Sequence, residues 1–203
     1  MVLSLDAIAQ NPQDYQFPIN SHNGEYFILR PLEKKDEAKL AELIESLSVE
    51  TKRFIAVNKS SESIAKEQCD AINKYDKLRF VLEKVDKREL VGLFEFSFGI
   101  PQGDFDRFEK YGIKLSERTD CRMGPLLRDA YQSQGIASVV LPILISIAKQ
   151  FCKKRIILWG GVMQENTQAV RFYEKNDFKN VGAFIDHPQG MDPSPCYDMI
   201  LYL

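Results

Sequence analysis

The sequence predicts a mixed α/β domain of the α+β type, with a mostly antiparallel sheet and one helical crossover. Three observations predict it. Short apolar runs of strand length are bounded by turn residues, and longer stretches repeat their apolar residues at helical spacing. A third is their order, which is a strand, two helices, three strands, a helix, a strand, a helix and two strands. This order predicts about seven strands and about four helices in a layered fold.

The totals predict one globular domain that has neither a nucleic acid nor a membrane as partner. Its 203 residues are enough for one sizeable core, and 44% hydrophobic and 28% charged residues are ordinary values. The formal net charge of -2 gives no general attraction to polyanions. The four cysteines lack metal-like spacing, no apolar run reaches the ~20 residues of a membrane helix, and the N-terminus is unlike a signal peptide. We therefore expect a cytoplasmic protein without a metal ion.

The first part of the chain predicts an arm followed by the start of the domain. Residues 1–24 are expected to form an N-terminal arm with a short helix, and residues 25–203 a single domain. The domain begins with a strand at Tyr26–Leu29, an aromatic and aliphatic run that ends near a proline. Two amphipathic helices follow, one at Ala38–Leu47 and one from an N-cap at Ser61 to about Asn73.

Two strands and a long insert make up the middle of the chain. The strands are predicted at Phe80–Leu82 and Leu90–Phe98, and a charged hairpin turn joins them. The insert at 99–118 is rich in glycine, proline and charge, so it is predicted to be irregular. Its aromatic residues favour a functional lid over a disordered loop.

The next strand, at Cys121–Gln132, is predicted to be irregular near its middle. Pro125 lacks the N–H that a sheet ladder needs and Gly124 weakens the strand, so a bulge or an edge is expected there. A long apolar helix follows at Ile136–Cys152, with a kink at Pro142. A buried strand, a short helix and two final strands close the chain.

A glycine stands where this strand gives way to the long helix. In the segment AYQSQGIAS, Gly135 begins the helix, and the first turn of a helix has unpaired N–H groups at the positive end of its dipole. Such an end binds phosphate, and glycine lets the backbone come close to it. Small side chains at Ala137 and Ser138 leave room, and the polar turn before Gly135 would add side-chain donors. The alternative is a plain turn between a strand and a helix.

Two motifs taken together resemble the GCN5-related N-acetyltransferase (GNAT) superfamily. The first, Q-x-x-G-x-A at 132–137, is similar to the acetyl-CoA pyrophosphate loop of that superfamily. The second is similar to its N-x-x-A-x-x-F-Y-x-K-x-G-F segment and matches it at Asn166, Ala169, Phe172, Tyr173, Lys175 and Phe178. Two positions depart: Ala137 replaces the usual last glycine of the loop, and Asp177 replaces the glycine before Phe178, where an aspartate can still adopt left-handed geometry.

The resemblance implies a fold with a bulged fourth strand and acetyl-CoA as the acetyl donor. The pyrophosphate would bind the first helical turn, and the bulge would free a strand edge for the pantetheine arm. The backbone N–H of Leu126 or Leu127 would contact the thioester carbonyl. Asn166 would bond the pantetheine arm, or it would serve only as a helix N-cap. The residues implied for the donor are Leu126, Leu127, Gln132, Ser133, Gln134, Gly135, Ile136, Ala137, Ser138, Asn166 and Tyr173.

Acetyl transfer to an amine needs a proton donor for the leaving thiolate and a base for the amine. The resemblance gives the acid role to Tyr173; the alternative is a partly buried tyrosine of an amphipathic helix. Arg122 stands where many members of the superfamily carry a glutamate, so the base is left open between Glu95, Asp120 and a water molecule. Glu95 lies in an otherwise apolar strand, a setting that favours a base near neutral pH, unless it faces the solvated side of the sheet.

The leading interpretation is an N-acetyltransferase in which an amine attacks acetyl-CoA directly in a ternary complex. The acceptor is left open among a protein lysine or N-terminus, an amino acid, a polyamine and a drug-like amine. Arg122 favours testing an acceptor with a carboxylate, and Trp159 is either a core residue or a border of the acyl pocket. The alternative function is a coenzyme A-binding regulatory module that has lost efficient transfer. The oligomeric state is left open between a monomer and a homodimer.

Overall fold

The protein is built around one large sheet. The computed structural model describes residues 3–55, 59–70, 76–188 and 190–203, and these residues form nine strands and seven α-helices. The strands are β1 (Phe17–Asn20), β2 (Tyr26–Pro31), β3 (Lys77–Lys84), β4 (Glu89–Ser97), β5 (Asp120–Leu127), β6 (Arg155–Leu158), β7 (Val162–Met163), β8 (Lys179–Asp186) and β9 (Ser194–Tyr202). Their order is β1-β2-β3-β4-β5-β6-β9-β7, with β8 paired to β9, and of these pairs only β5–β6 is parallel. This confirms the predicted fold class.

The helices cover both faces of the sheet. They are α1 (Leu5–Gln10), α2 (Glu37–Glu45), α3 (Val49–Phe54), α4 (Ser61–Gln68), α5 (Gln102–Lys110), α6 (Ile136–Gln150) and α7 (Thr167–Lys175). None of the described helices combines the length and the apolar character that a bilayer crossing requires.

Strand alternation divides the core into two layers. On one face, α1, α6 and α7 bury Ile8, Val140 and other apolar residues against the sheet. On the opposite face, α2 and α4 pack on β3 and β4 around Leu93, and α5 packs on β6 and β9 around Ile157. We call these the α6 face and the α5 face.

Residues 3–24 belong to this same core. The short helix predicted in the N-terminal arm is confirmed by α1, and its Ile8 is fully buried. The sequence analysis missed β1, in which Phe17 pairs with Leu29 and Asn20 pairs with Tyr26. Pro18 lies in this edge strand, where a missing N–H is tolerated.

Of the helices before β3, one agrees with the prediction and two differ from it. The first amphipathic helix is confirmed by α2. The sequence analysis missed α3, whose N-cap Ser48 accepts a hydrogen bond from the Thr51 N–H at 3.1 Å. The next helix, α4, begins at Ser61 with Ser60 as its N-cap, and the predicted extension over residues 71–73 lies outside the described residues.

The insert at 99–118 contains a docked helix, so its prediction as an irregular segment was wrong. Phe108 of α5 is buried against Ile157 of β6 and Ile200 of β9. Arg107 of the same helix donates two hydrogen bonds to Asp198 of β9, at 3.0 and 3.1 Å. The insert therefore lies across the α5 face, and its role as a lid stays a prediction.

The sheet opens between β5 and β6. Their pairing ends at Met123–Leu158, and the Trp159 N–H still donates to the Met123 carbonyl oxygen at 2.9 Å. The register between β4 and β5 stays constant as far as Leu127, so the bulge predicted around Pro125 is absent from that ladder. The irregularity lies on the other side of β5, where β6 diverges. No described strand is paired with Pro125 on that side, so the N–H that proline lacks is not needed there.

Candidate active site

The loop before α6 presents a run of backbone N–H groups, which we call the amide loop (residues 133–137). Within the described chain these N–H groups donate no hydrogen bond, whereas the Ser138 N–H donates to the Gly135 carbonyl oxygen at 3.0 Å. Ser133 and Gly135 have φ angles of 58° and 76°. Left-handed residues in such a turn direct neighbouring N–H groups toward one point, which makes an anion site. The dipole of α6 adds to its positive potential.

The backbone angle and the surroundings at position 135 both favour glycine. A Cβ atom there would lie 2.9 Å from Cδ2 of His22, an exposed side chain of the β1–β2 turn. Its left-handed φ would also be strained for any residue with a side chain. The glycine therefore has a structural reason as well as the predicted one.

Two glutamines hold the amide loop in place. Gln132 Nε2 donates to the Leu127 carbonyl oxygen at 2.9 Å, and Gln134 Nε2 donates to the Ala130 carbonyl oxygen at 2.6 Å. The sequence analysis predicted these side chains as donors to phosphate. The structure instead uses their amides within the loop, so the candidate anion site consists mainly of backbone N–H groups, and the side chain of Ser133 stays a predicted donor.

Asp129 connects the loop to α3, a link that the sequence analysis missed. Its carboxylate accepts hydrogen bonds from the Ser48 N–H at 2.9 Å, the Ser48 hydroxyl at 2.6 Å and the Thr51 hydroxyl at 2.7 Å. Burial opposes ionisation, but these hydrogen bonds from Ser48 and Thr51 lower the pKa of Asp129 below its usual value. A charged Asp129 thus fixes the turn that leads into the amide loop.

Strand alternation decides which amide of β5 faces the opening. The Arg128 N–H donates to the Val91 carbonyl oxygen of β4 at 2.8 Å, whereas the Met123 carbonyl faces β6. Residues two apart on a strand direct their backbone groups to the same side. The Leu126 N–H therefore belongs to the β4 ladder, and the Leu127 N–H faces the opening.

Asn166 and Tyr173 lie on α7, at its N-terminus and on its buried side. The Asn166 side-chain oxygen accepts a hydrogen bond from the Ala169 N–H at 3.1 Å, so its capping role is observed. Tyr173 is 6% exposed, and its ring packs against Phe172 and Phe178. Burial raises the pKa of Tyr173, which keeps the phenol protonated as a general acid requires.

The helix end after Tyr173 accommodates the departure from the family pattern. Asp177 has a φ of 65°, the left-handed geometry that was predicted for it. The Phe178 N–H then donates to the Tyr173 carbonyl oxygen at 3.0 Å. The turn is therefore preserved without its usual glycine.

Asp120 is not available as a base. It is fully buried, and Arg155 donates to its two carboxylate oxygens at 2.7 and 2.6 Å. The Ser116 N–H donates a further hydrogen bond at 2.7 Å. Asp120 lies at the start of β5, opposite Arg155 and three residues before the β5–β6 pairing ends at Met123, so it lies away from the opening, and on this ground its assignment as a possible base is corrected.

Glu95 lies opposite Gly124 in the β4–β5 ladder, on the α5 face. It is 9% exposed, so the solvated alternative was wrong, and its surroundings are not apolar either. Arg79 donates to both of its carboxylate oxygens at 3.1 Å, and Lys77 Nζ lies 3.6 Å away. Both cations lie within ion-pair distance of this carboxylate. On β3, Lys77 and Arg79 alternate with apolar residues. This pattern in the sequence could have indicated that both cations lie on one face of the sheet, as partners of Glu95.

Arg122 and Trp159 meet at the neck of the opening. The guanidinium carbon of Arg122 lies 4.3 Å from the centre of the Trp159 ring, and Lys77 Nζ lies 4.5 Å from it. Burial lowers the pKa of Arg122, but a guanidinium remains charged in proteins. Arg122 Nε lies 3.0 Å from Oδ2 of Asp104, which α5 supplies. The candidate anion site of the amide loop and the charged side chains around Glu95 and Arg122 therefore lie on the two sides of one opening.

Comparison with known proteins gives the family. A profile described as the acetyltransferase (GNAT) family matches residues 47–178, which include the amide loop and α7. This chain belongs to the GNAT family. A search of curated proteins found no match to this GNAT protein.

Solved structures share the GNAT fold at low sequence identity. The GNAT domain of S. lividans PAT has a TM-score of 0.66 at 16% identity, over 95% of this chain and 99% of that chain. Spermidine N-acetyltransferase from Vibrio cholerae, in complex with CoA and spermine, has a TM-score of 0.64 at 18% identity, over 87% and 95%. Ribosomal-protein-S5-alanine acetyltransferase from Vibrio fischeri has a TM-score of 0.66 at 14% identity, over 93% and 97%. These similarities establish the fold alone.

Proposed function

We propose that this GNAT protein is an acetyl-CoA-dependent N-acetyltransferase that moves an acetyl group to a primary amine. The observation that carries the proposal is the amide loop, whose N–H groups have no acceptor in the described chain and lie beside the opening of the sheet. A diphosphate fits this loop, because its oxygens accept several hydrogen bonds at once and Gly135 allows a close approach.

The donor would enter along the separated edge of β5. From the amide loop, the pantetheine arm would run between β5 and β6 toward the Leu127 N–H. In this proposal the Leu127 N–H donates to the thioester carbonyl oxygen and polarises it. Asn166 caps α7 with its side-chain oxygen, which leaves its amide hydrogens for the pantetheine arm.

The proposed reaction is a direct attack by the amine on the thioester carbon. The acceptor ammonium first loses a proton to Glu95 through water. A C–N bond then forms, the C–S bond breaks, the nitrogen loses its second proton to solvent as the amide forms, and Glu95 passes the first proton to solvent. The leaving thiolate takes a proton from Tyr173, which is then reprotonated from solvent. The products are the acetylated amine, free coenzyme A and one proton.

A thiol-release assay tests the proposal. We expect free coenzyme A to appear when the protein is given acetyl-CoA and a panel of amines that includes amino acids, polyamines and peptides. A regulatory module that only binds coenzyme A would instead show thermal stabilisation by the ligand without release. Release of free coenzyme A without thermal stabilisation of the protein by coenzyme A would contradict the proposed donor site. The absence of both effects would contradict it as well.

A further inference from the structure

A group of buried and half-buried charged side chains lies on the α5 face beside the opening, and we call it the charged cluster. Among the described residues it consists of Lys77, Arg79, Glu95, Asp104, Arg107, Arg122 and Asp198. The cluster holds four cations and three carboxylates. These ion pairs therefore contain one cation more than carboxylates, and Glu67 adds a negative charge within electrostatic reach of Lys77 and Arg79.

Arg122 and Lys77 are the two cations of this cluster to which the described residues supply an ion pair but no hydrogen bond, and Arg122 is the more buried of the two. Arg79 bonds Glu95 through two nitrogens, and Arg107 bonds both Asp198 and Asp104. Arg122 is 9% exposed, and in the described chain its guanidinium donates no aligned hydrogen bond, even to the nearby Asp104 Oδ2. Of the five N–H donors of this guanidinium, the buried Nε–H has no aligned acceptor among the described residues, and leaving a buried donor unpaired is unfavourable. This arrangement favours an anion from outside the chain.

The position of Arg122 relates it to the reacting groups. It lies two residues before Gly124 on the same face of β5, which corresponds to about 7 Å along the strand. Its guanidinium stacks on Trp159, the residue at which β5 and β6 separate. An acceptor that reaches the thioester from the α5 face would pass beside Arg122.

We propose that the acceptor is a small amine that carries a carboxylate, and that Arg122 binds this carboxylate. The inference rests on the proposed acetyl transfer. A planar guanidinium matches a carboxylate through two parallel hydrogen bonds, which a lysine would not provide. Trp159 holds the guanidinium plane in place, and Asp104 is a positioning residue that keeps Arg122 from turning toward solvent.

The same cluster opposes a polyamine acceptor. Lys77, Arg79 and Arg122 would repel a second positive charge on the substrate, because like charges in a buried site are strongly unfavourable. This protein would thus differ from the spermidine N-acetyltransferase that shares its fold. A sulfonate has the same charge as a carboxylate but a tetrahedral shape, so taurine tests the planar match; a phosphate is tetrahedral too and carries up to one further negative charge.

The experiment compares matched acceptors in the thiol-release assay. The pairs are glycine and glycinamide, β-alanine and β-alaninamide, and 4-aminobutyrate and its amide, with spermidine, taurine and phosphoethanolamine as further arms. We expect kcat/KM for the best acid to exceed that for its amide by about 30-fold or more, as for loss of a buried charge pair. Rates are compared at equal concentrations of neutral amine, since the two members of a pair ionise differently.

Three variants link this preference to Arg122. Arg122→Gln is expected to remove the preference for the acid, and Arg122→Lys is expected to restore part of it, mainly through KM. Arg118→Gln changes an exposed arginine of the insert and is expected to keep the preference. Thermal stabilisation by coenzyme A is measured for each, so that a folding defect is separated from loss of acceptor binding.

The outcomes distinguish this inference from the proposed function. Release with amides or spermidine as fast as with acids, or an unchanged preference in Arg122→Gln, would overturn the carboxylate assignment and leave acetyl transfer intact. Faster release with phosphoethanolamine or taurine would overturn it in favour of a tetrahedral anion. Absence of release with every amine, despite binding of coenzyme A, would overturn both proposals.

Discussion

The two faces of the sheet provide binding groups of different kinds. On the α6 face the candidate donor site consists of backbone N–H groups in residues 133–137. On the α5 face the candidate acceptor site consists of side-chain charges, such as the Arg79–Glu95 pair, from elements far apart in the chain. Backbone groups can recognise a phosphate through a short local motif, whereas charged side chains acquire their partners only through tertiary packing. The candidate donor site is therefore encoded locally in the sequence, and the candidate acceptor site is not.

The largest expected effect is on the free energy of unfolding, and it distinguishes the structural carboxylate Asp120 from the proposed base Glu95. Asp120→Asn breaks the buried pair with Arg155 and is expected to lower the free energy of unfolding by about 3 kcal/mol. Urea denaturation measures this loss, and the acetyl-transfer rate per folded molecule is expected to stay unchanged. Glu95→Gln, in contrast, is expected to lower kcat in the same assay. A variant at Asp120 that folds stably but no longer transfers acetyl would return Asp120 to the chemistry.

The next effect concerns the acid on the α6 face. Tyr173→Phe keeps the buried ring but removes the proton donor, so kcat is expected to fall by about 100-fold with little change in KM for acetyl-CoA. Steady-state kinetics measure both constants. Tyr202→Phe, which alters an exposed tyrosine, is the matched control. Parental turnover by Tyr173→Phe would remove Tyr173 from the mechanism.

A smaller effect tests the amide loop against a second glycine of the same geometry. Gly135→Ala is expected to weaken coenzyme A binding by about 10-fold, because the added Cβ meets His22 and the left-handed φ is strained. Gly112 has a φ of 74° with nothing within 4 Å of a Cβ there. Gly112→Ala should therefore cost similar stability, about 1 kcal/mol, without loss of binding. Calorimetric titration distinguishes the two, and equal binding losses would argue against a specific phosphate site.

The smallest effect follows from the raised pKa of Tyr173. The folded state holds the phenolic proton more tightly than the unfolded chain, so this contribution to stability is complete below the ordinary pKa of 10.0 and declines as pH rises above it. The loss relative to Tyr173→Phe is expected to be about 1 kcal/mol at pH 10.5. Thermal unfolding of both proteins at pH 8 and pH 10.5 gives the difference. Parallel stability curves would show that Tyr173 is not buried as a neutral phenol.

The extent of prediction from sequence follows the same division. The loop at Gly135 and the helix of Tyr173 were predictable, because a glycine at a helix start and a spaced motif are local signals. The α5 helix was missed, since burial of Phe108 depends on strands that follow it much later in the chain. Asp120 was misassigned as a possible base for a similar reason: its partner Arg155 is 35 residues away in sequence.

Strand geometry also exceeded what a single sequence could predict. Pro125 correctly indicated an interruption, but which side of β5 would be interrupted depends on where β6 ends. The sequence left the contact to the thioester open between Leu126 and Leu127. The hydrogen bond from Arg128 to β4 decides the direction of each amide, and such a bond is known only from the folded chain.

A crystal structure of the protein with coenzyme A tests the central claim most directly. If the proposed donor site is correct, pyrophosphate oxygens lie within hydrogen-bonding distance of the N–H groups of residues 133–137. The pantetheine arm then lies between β5 and β6, with its sulfur near the Leu127 N–H. A coenzyme A molecule bound at full occupancy elsewhere, with the amide loop left to solvent, would contradict it.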